Sequence, residues 1–384
     1  MKHSIRFNEN VRRVVSFILR PWLKKGFLFD DSAFPPLPER FLLVTNHVIN
    51  FDPLMVTHKS RRFIHFVATE HLFSLGWISK LIIWLIDPIP RAQGGNAAAT
   101  VMDILRKLKN EGSVGLCVEG NCTWDGVTAP FPPATGKMAR SAGVPLVTVH
   151  VSGYLARPRW AFTRRKGPVE IRLAGIYQPE ELKKMKPEEI NALIARDIFE
   201  DAYATQEKNP RPYPGKRLAE GLEFALQLCP RCHSLDRLEG RDNRFSCRAC
   251  GLTVTYDQWG YFTAEEGETP FRSVRDWDAW QKAYLASLAL EELPVAEDED
   301  MQLLQIQEHK RIPLAAGTLR LDAAGLSLGE KHFAFEEIAE LAIRYKGVVS
   351  FSDKDGRFYE ILKKKKKIRY HGRKYLLLYE RRMN

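Results

Sequence analysis

A chain of 384 residues is longer than one ordinary domain and should divide into two or three. Its 45% hydrophobic and 27% charged content excludes wholesale disorder. A formal net charge of +11 calls for an anionic partner, nucleic acid or an anionic membrane surface, without choosing between them. The opening MKHSIRFNEN lacks the apolar core and small-residue cleavage site of a secretory signal, so a reducing, cytoplasmic setting is expected.

Residues 1–30 are expected to form an amphipathic membrane-surface helix. Val11, Val14, Val15, Ile18 and Trp22 fall on one helical stripe, with Arg12, Arg13, Arg20 and Lys24 on the other side. An ordinary helix packed on its own domain fits the same pattern, and Pro21 predicts a kink. No segment reaches the roughly 18 uninterrupted apolar residues of a spanning helix. Residues 72–86 come nearest, but the run is short and is broken by Lys80.

Residues 31–212 alternate between strand and helix patterns. RFLLVTN, FIHFVAT, SVGLCVEG, PLVTVHVSG and VEIRLAG read as strands, with helical patterns between them, so an α/β sheet domain is expected. One long amphipathic helix over residues 187–208 should close it. Residues 213–262 read as a four-cysteine ribbon and 263–300 as a helical and acidic linker. Residues 301–384 read as a small β-rich domain with hairpin turns at DAAG and DKDG, a polybasic segment and a final helix. This last domain loosely resembles lipid-surface modules of the pleckstrin-homology type, although no residue motif supports the likeness.

The stretch VTNHVINFDP places His47 five residues before Asp52, just after an apolar strand pattern. On a straight helix such residues point about 140° apart, so they meet only if the chain turns between a strand end and a helix start. Asp52-Pro53 supplies that start, as an N-cap followed by proline at the first helical position. Asp52 could serve only as a cap. It could also hold the tautomer of a His47 that acts as general base.

Further blocks follow in order: DPIPRAQGG with Arg91, then SVGLCVEGNCTWDG with Glu119-Gly120, then GVPLVTV. With Asn46, His47 and Asp52 as an N-H-x4-D block, residues 40–175 resemble the lysophosphatidate acyltransferases and related glycerolipid acyltransferases. The resemblance implies that His47 deprotonates a glycerol hydroxyl, which attacks an acyl thioester, while Asp52 orients His47. It assigns acceptor binding or site shape to Asn46, Arg91, Glu119 and Gly120. No covalent acyl-enzyme is required, and Cys117 in its strand pattern reads as core.

The sequence departs from that family's pattern. Its P-E-G-T-R block reads Val118-Glu119-Gly120-Asn121-Cys122, so the phosphate-binding arginine is replaced by Cys122. Pro132 stands where a basic residue is common, and Thr69 stands where a lysine is. An uncharged residue cannot replace a bidentate arginine, and Lys137 or Arg140 would have to compensate.

Cys229-x2-Cys232 and Cys247-x2-Cys250 are separated by fourteen residues, a spacing that can place four thiolates around one zinc. Four cysteines leave no open position, so a structural zinc is expected, with His233 surplus. The arginines of this ribbon lack interleaved aromatic residues, so nucleic acid is not the expected partner. Five consecutive lysines, Lys363 to Lys367, are expected at an anionic lipid surface.

The expected whole is a peripheral acyltransferase at the inner face of a membrane. Its donor would be acyl-CoA or acyl-carrier protein and its acceptor a lysophospholipid, with lysophosphatidate as first choice. The rival reading is a non-catalytic membrane or nucleic-acid adaptor with an acyltransferase-like fold.

Overall fold

The computed structural model describes residues 4–68, 77–91, 97–110, 112–264, 267–307, 310–364 and 370–383. It divides into two compact units. The first is built of the chain up to Arg91, Ala97–Arg159 and Arg164–Gly215, and the second chiefly of Lys216–Asn384 with Trp160–Thr163.

The first unit runs α1 (Ile5–Phe27), β1 (Leu42–Thr45), α2 (Asp52–Ser60), β2 (Ile64–Ala68), α3 (Trp77–Ile86), β3 (Ile89–Pro90) and α4 (Ala97–Asn110). It continues through β4 (Ser113–Cys117), α5 (Ala134–Ser141), β5 (Leu146–Ser152), β6 (Glu170–Tyr177), α6 (Pro179–Lys184), α7 (Pro187–Ile198) and α8 (Ala202–Lys208). The strands form a six-stranded sheet in the order β3-β2-β4-β1-β5-β6. All neighbours are parallel except β5 and β6.

The apolar run of β1 follows from this position, because a central parallel strand is covered on both faces and all four of its residues are buried. Leu42, Val44 and Leu146 of the sheet close on Ile104 and Leu108 of α4 and on Ile190 and Ile194 of α7. Each such fully buried side chain contributes about 1.5–3 kcal/mol relative to exposure.

Two expectations are corrected here. Residues 187–208 are not one helix. The chain leaves α7 in extended geometry at Phe199, pairs with residues 126–128 through Thr128 N–H to Glu200 O, and restarts at α8. Asp201 caps that restart by accepting from the N–H groups of Tyr203 and Ala204. The apolar stripe of α1 is also shared between two faces. Leu23 and Phe27 are buried, while Val14, Phe17 and Ile18 are 58%, 80% and 66% exposed. Arg12, expected on the polar side, is buried because it pairs with Glu9, whose other oxygen accepts from Phe63 N–H. Part of the apolar run 72–86 lies outside the described residues, as does Thr69. Among the described residues no helix is long and apolar enough to cross a membrane.

The second unit begins with a four-stranded antiparallel sheet of β7 (Leu238–Arg241), β8 (Arg244–Cys247), β9 (Thr253–Tyr256) and β10 (Phe262–Ala264). Helix α9 (Val274–Ser287) packs Trp277 against Phe245 and Phe262 and bonds its indole N–H to Leu228 O. Then come β11 (Ala296–Gln307), β12 (Lys310–Leu321), β13 (Leu326–Leu328), β14 (Lys331–Phe333), β15 (Ile338–Arg344), β16 (Val348–Asp353), β17 (Phe358–Lys363) and α10 (Arg373–Met383). These strands form a seven-stranded antiparallel sheet, with turns at the DAAG and DKDG stretches. Lys363 and Lys364 are described, but Lys365 to Lys367 lie outside the described residues.

Candidate active site

The carboxyl ends of neighbouring parallel strands form one rim, the edge where open α/β sheets hold their ligands. Asn46 and His47 follow β1, Arg91 follows β3, and Glu119 and Gly120 lie just past β4. The chain closes around this rim through backbone bonds from Val118 N–H to Thr45 O and from Thr123 N–H to His47 O.

His47 turns back toward the start of α2. Asp52 is the first residue of that helix rather than its cap, which is Phe51 and offers no side-chain bond. This shift lets the Asp52 carboxylate reach backward. Its Oδ2 accepts from the N–H groups of Val48 at 2.6 Å and Ile49 at 3.0 Å, and lies 3.0 Å from His47 Nδ1. An oxygen already accepting two N–H bonds requires Nδ1 to donate, which leaves Nε2 as the imidazole's acceptor. Asp52 is fully buried, and His47 retains 17% side-chain exposure. Burial works against the imidazolium, but the Cys122 and Cys117 sulfurs and the Asp52 hydrogen bond outweigh it and raise the His47 pKa above its ordinary value.

Glu119 holds the site's shape. Its Oε1 accepts from His47 N–H and its Oε2 from Ala129 N–H, both at 2.6 Å. Burial raises its pKa to about 7, against the two backbone bonds that favour the carboxylate. Asn46 is likewise a fastener. Its amide donates to Val151 O at 2.7 Å and accepts from Val151 N–H at 2.8 Å, tying β1 to β5. Gly120 sits at φ +75°, and a Cβ there would lie 2.7 Å from Arg91 Nη1. Glycine is thus what allows Arg91 to cross the rim beside Glu119. Lys137 is exposed on α5, whose buried side carries Met138 and Ala139.

Three side chains at this rim were missed by the motif reading. Cys122, noted there only as a lost arginine, places its Sγ 3.4 Å from His47 Nε2 and 3.1 Å from Asn50 Oδ1. Arg159 donates to Cys122 O and stacks its guanidinium 4.1 Å from the Trp124 ring centre. Arg157 lies 4.9 Å from the Phe51 ring centre; burial, then repulsion from Arg164, lowers its pKa, while Cys122 opposes both. The turn after β5 therefore brings cations to the rim that lost its motif arginine. Only the Arg-Pro-Arg sequence hinted at this, and nothing in its spacing pointed to His47. Cys117 is half-buried beside His47 rather than in the core, and burial raises its pKa.

In the second unit, the Sγ atoms of Cys229, Cys232, Cys247 and Cys250 lie within 4.8 Å of one another. Cys229 and Cys250 are 3.6 Å apart, and Cys232 and Cys247 are 3.7 Å apart. Two short turns aim the thiols inward, with His233 N–H bonding Cys229 O and Gly251 N–H bonding Cys247 O. Gly251, at φ +73°, makes the second turn. Four convergent thiols of this kind can hold one metal ion. His233 points elsewhere, with its ring 4.4 Å from that of Tyr284.

The family model described as Acyltransferase matches residues 28–152, which span the whole rim from β1 to β5. This segment is an acyltransferase-family domain. Among solved structures, the acyltransferase domain is similar to the 1-acyl-sn-glycerophosphate (LPA) acyltransferase PlsC from Thermotoga maritima. That likeness has a TM-score of 0.42 and 20% identity, over 54% of this chain and 80% of that one. No curated protein matches the chain. Within the domain, His47, Asp52, Glu119 and Cys122 form one contiguous hydrogen-bonded set.

Proposed function

We propose that the chain is a glycerolipid O-acyltransferase, moving a fatty acyl group from a CoA or acyl-carrier-protein thioester to a lysophospholipid hydroxyl. The observation that carries this is the His47–Asp52 pair inside an acyltransferase-family domain, with Nδ1 held by the carboxylate and Nε2 left as acceptor. In that arrangement His47 removes the acceptor's proton as the oxygen attacks the thioester carbonyl, and returns it to the departing thiol. Asp52 holds the tautomer and offsets the imidazolium charge. Glu119 and Asn46 are positioning residues: one fixes the backbone of His47, the other the strand end beneath it.

The acceptor headgroup is proposed to be anionic, with lysophosphatidate as first choice, because Arg91, Arg157 and Arg159 all reach the rim. An apolar cleft lined by Val11, Val15, Leu19, Pro53, Leu54 and Phe63 begins one residue past Asp52 and suits a fatty chain. The exposed Val14, Phe17 and Ile18 of α1 are proposed to rest on a membrane at its cytoplasmic face, with the basic segment around Lys363 as an electrostatic second contact. Lys137 is kept as a further, peripheral phosphate contact.

The metal is proposed to be zinc. A tetrahedron with Zn–S near ~2.3 Å has sulfurs about 3.8 Å apart, which matches the two short sulfur separations in the cluster. Bound there with four thiolates, zinc would stabilise the second unit's fold and leave no position for chemistry. The division into an N-terminal helix, a catalytic domain ending near residue 212, and a ribbon and β-rich domain beyond is part of this proposal; the end of the first unit at Gly215 supports the limit near 212.

The test is thiol release from acyl-CoA and acyl-carrier-protein donors against a panel of lysophospholipids and neutral glycerols. Release stimulated by anionic lysophospholipids is expected. Release that no lysolipid stimulates would leave the adaptor reading standing.

A further inference from the structure

We propose that Cys122 is itself a catalytic residue, taking the acyl group from the thioester donor as an acyl-cysteine that the acceptor alcohol then discharges. This deepens the acyltransfer function proposed above and rests on it. The supporting geometry is a three-membered chain of contacts. Cys122 Sγ lies 3.4 Å from His47 Nε2, and His47 Nδ1 lies 3.0 Å from Asp52 Oδ2. A nucleophile touching a base that a third group orients is the general signature of covalent catalysis, and a thiol is the most intrinsically nucleophilic of the side chains so used.

The position of the sulfur matters as much as its distance. In direct transfer the acceptor hydroxyl must present its proton to Nε2. Here a thiol stands at that nitrogen, so the group next to the base is the thiol. Cys122 sits in the loop after β4, fixed by Arg159 at its carbonyl and by the Thr123 N–H bond to His47 O. Asn50 Oδ1, 3.1 Å from Sγ, gives the thiol hydrogen a second acceptor and holds the sulfur in place between donor turns.

The steps balance without an oxidant or a further reactant. The Cys122 proton passes to His47 Nε2 as the sulfur attacks the donor carbonyl, the donor's C–S bond breaks, and its sulfur leaves with the proton from Nε2. The acceptor hydroxyl then gives its proton to Nε2 as its oxygen attacks the acyl-cysteine. The Cys122 C–S bond breaks and the thiol recovers the proton. Both bonds to sulfur are thioesters, so the first exchange is nearly isoenergetic and the intermediate is not a sink.

The experiment uses the full chain with decanoyl and palmitoyl thioesters of CoA and of acyl-carrier protein, supplied in turn without acceptor. Intact-mass measurement should show one acyl group on the enzyme, removable by neutral hydroxylamine and mapped to Cys122. Released thiol should match it in a burst. Added lysophosphatidate should discharge the adduct, and initial-rate plots should give the parallel lines of a ping-pong sequence. Cys122→Ala should lose the adduct and at least about a hundredfold in turnover. Cys122→Ser, which keeps the side chain's shape, should hold an acyl group that neutral hydroxylamine removes slowly. The proposal is overturned if folded Cys122→Ala transfers acyl groups at the wild-type rate, if the adduct maps to Cys117, or if wild type turns over with intersecting lines and no adduct. In each of those cases acyl transfer itself persists. A wild type that releases no thiol from any donor, with or without acceptor, would overturn the function and this step together.

Discussion

His47 can act as a base only while Nε2 is unprotonated, and its surroundings move that condition to higher pH. Its raised pKa means that activity should climb through that value as pH increases, with the acid limb above the ordinary imidazole range. Asp52→Asn removes one of the groups that raise it, so the acid limb should move to lower pH. The same change should lower kcat by several orders of magnitude, about 10⁴-fold where such pairs have been broken elsewhere. A kcat–pH profile of both proteins checks the shift and its sign. Glu119 makes a second residue-scale case. A carboxylate accepts from both His47 N–H and Ala129 N–H, whereas an amide can accept from one and confronts the other with its own N–H. Glu119→Gln should therefore cost about 1–3 kcal/mol in denaturant unfolding and lower kcat by displacing His47. An unchanged unfolding midpoint would show that the two backbone bonds are not formed in solution.

At the scale of elements, most strands and helices of the first unit were legible as segments, because central parallel strands must be apolar along their length and amphipathic helices must cover them; the order of the strands in the sheet was not read from the sequence. The break between α7 and α8 was not legible, since Phe199 to Asp201 read smoothly as helix. What interrupts them is tertiary: Thr128 N–H bonds Glu200 O, and Asp201 caps a new helix. The same limit applies to α1, where one stripe was expected and two apolar faces exist. Its exposed face makes a prediction that its packed face does not. Replacing Phe17 and Ile18 by serine should weaken binding to anionic phospholipid vesicles, leaving thermal stability within about 0.5 kcal/mol of wild type because both are surface positions. Replacing Lys363 to Lys367 by glutamine should instead remove the salt-sensitive part of the binding, which is screened over about 8 Å at physiological ionic strength. Vesicle co-sedimentation at low and high salt separates the two terms. If neither variant differs from wild type, the membrane contact lies elsewhere.

For the molecule as a whole, the residues that local sequence could reveal were those with a fixed spacing. The four cysteines, two pairs at one short spacing, do converge into a cluster that could hold a metal ion, and His47 and Asp52, five residues apart, do meet at 3.0 Å. Cys122, Arg157 and Arg159 could not be revealed that way, because the contacts of Cys122 with His47, of Arg159 with Cys122 and of Arg157 with Phe51 depend on separate loops converging at one sheet edge. The zinc proposed for that cluster predicts a separate stability for the second unit. Chelation, or Cys229→Ser, should unfold the region around β7 to β10 while circular dichroism retains the α/β signal, since a metal bound by four thiolates there would supply folding free energy. One zinc per chain by elemental analysis is the accompanying expectation. The central claim, however, is that one imidazole at the end of β1 carries acyl transfer, and its most direct test is the acyl-transfer rate of His47→Ala. The account predicts that this variant folds, binds its metal, and transfers acyl groups at least about a hundredfold more slowly than wild type. Near-normal turnover by folded His47→Ala would contradict it.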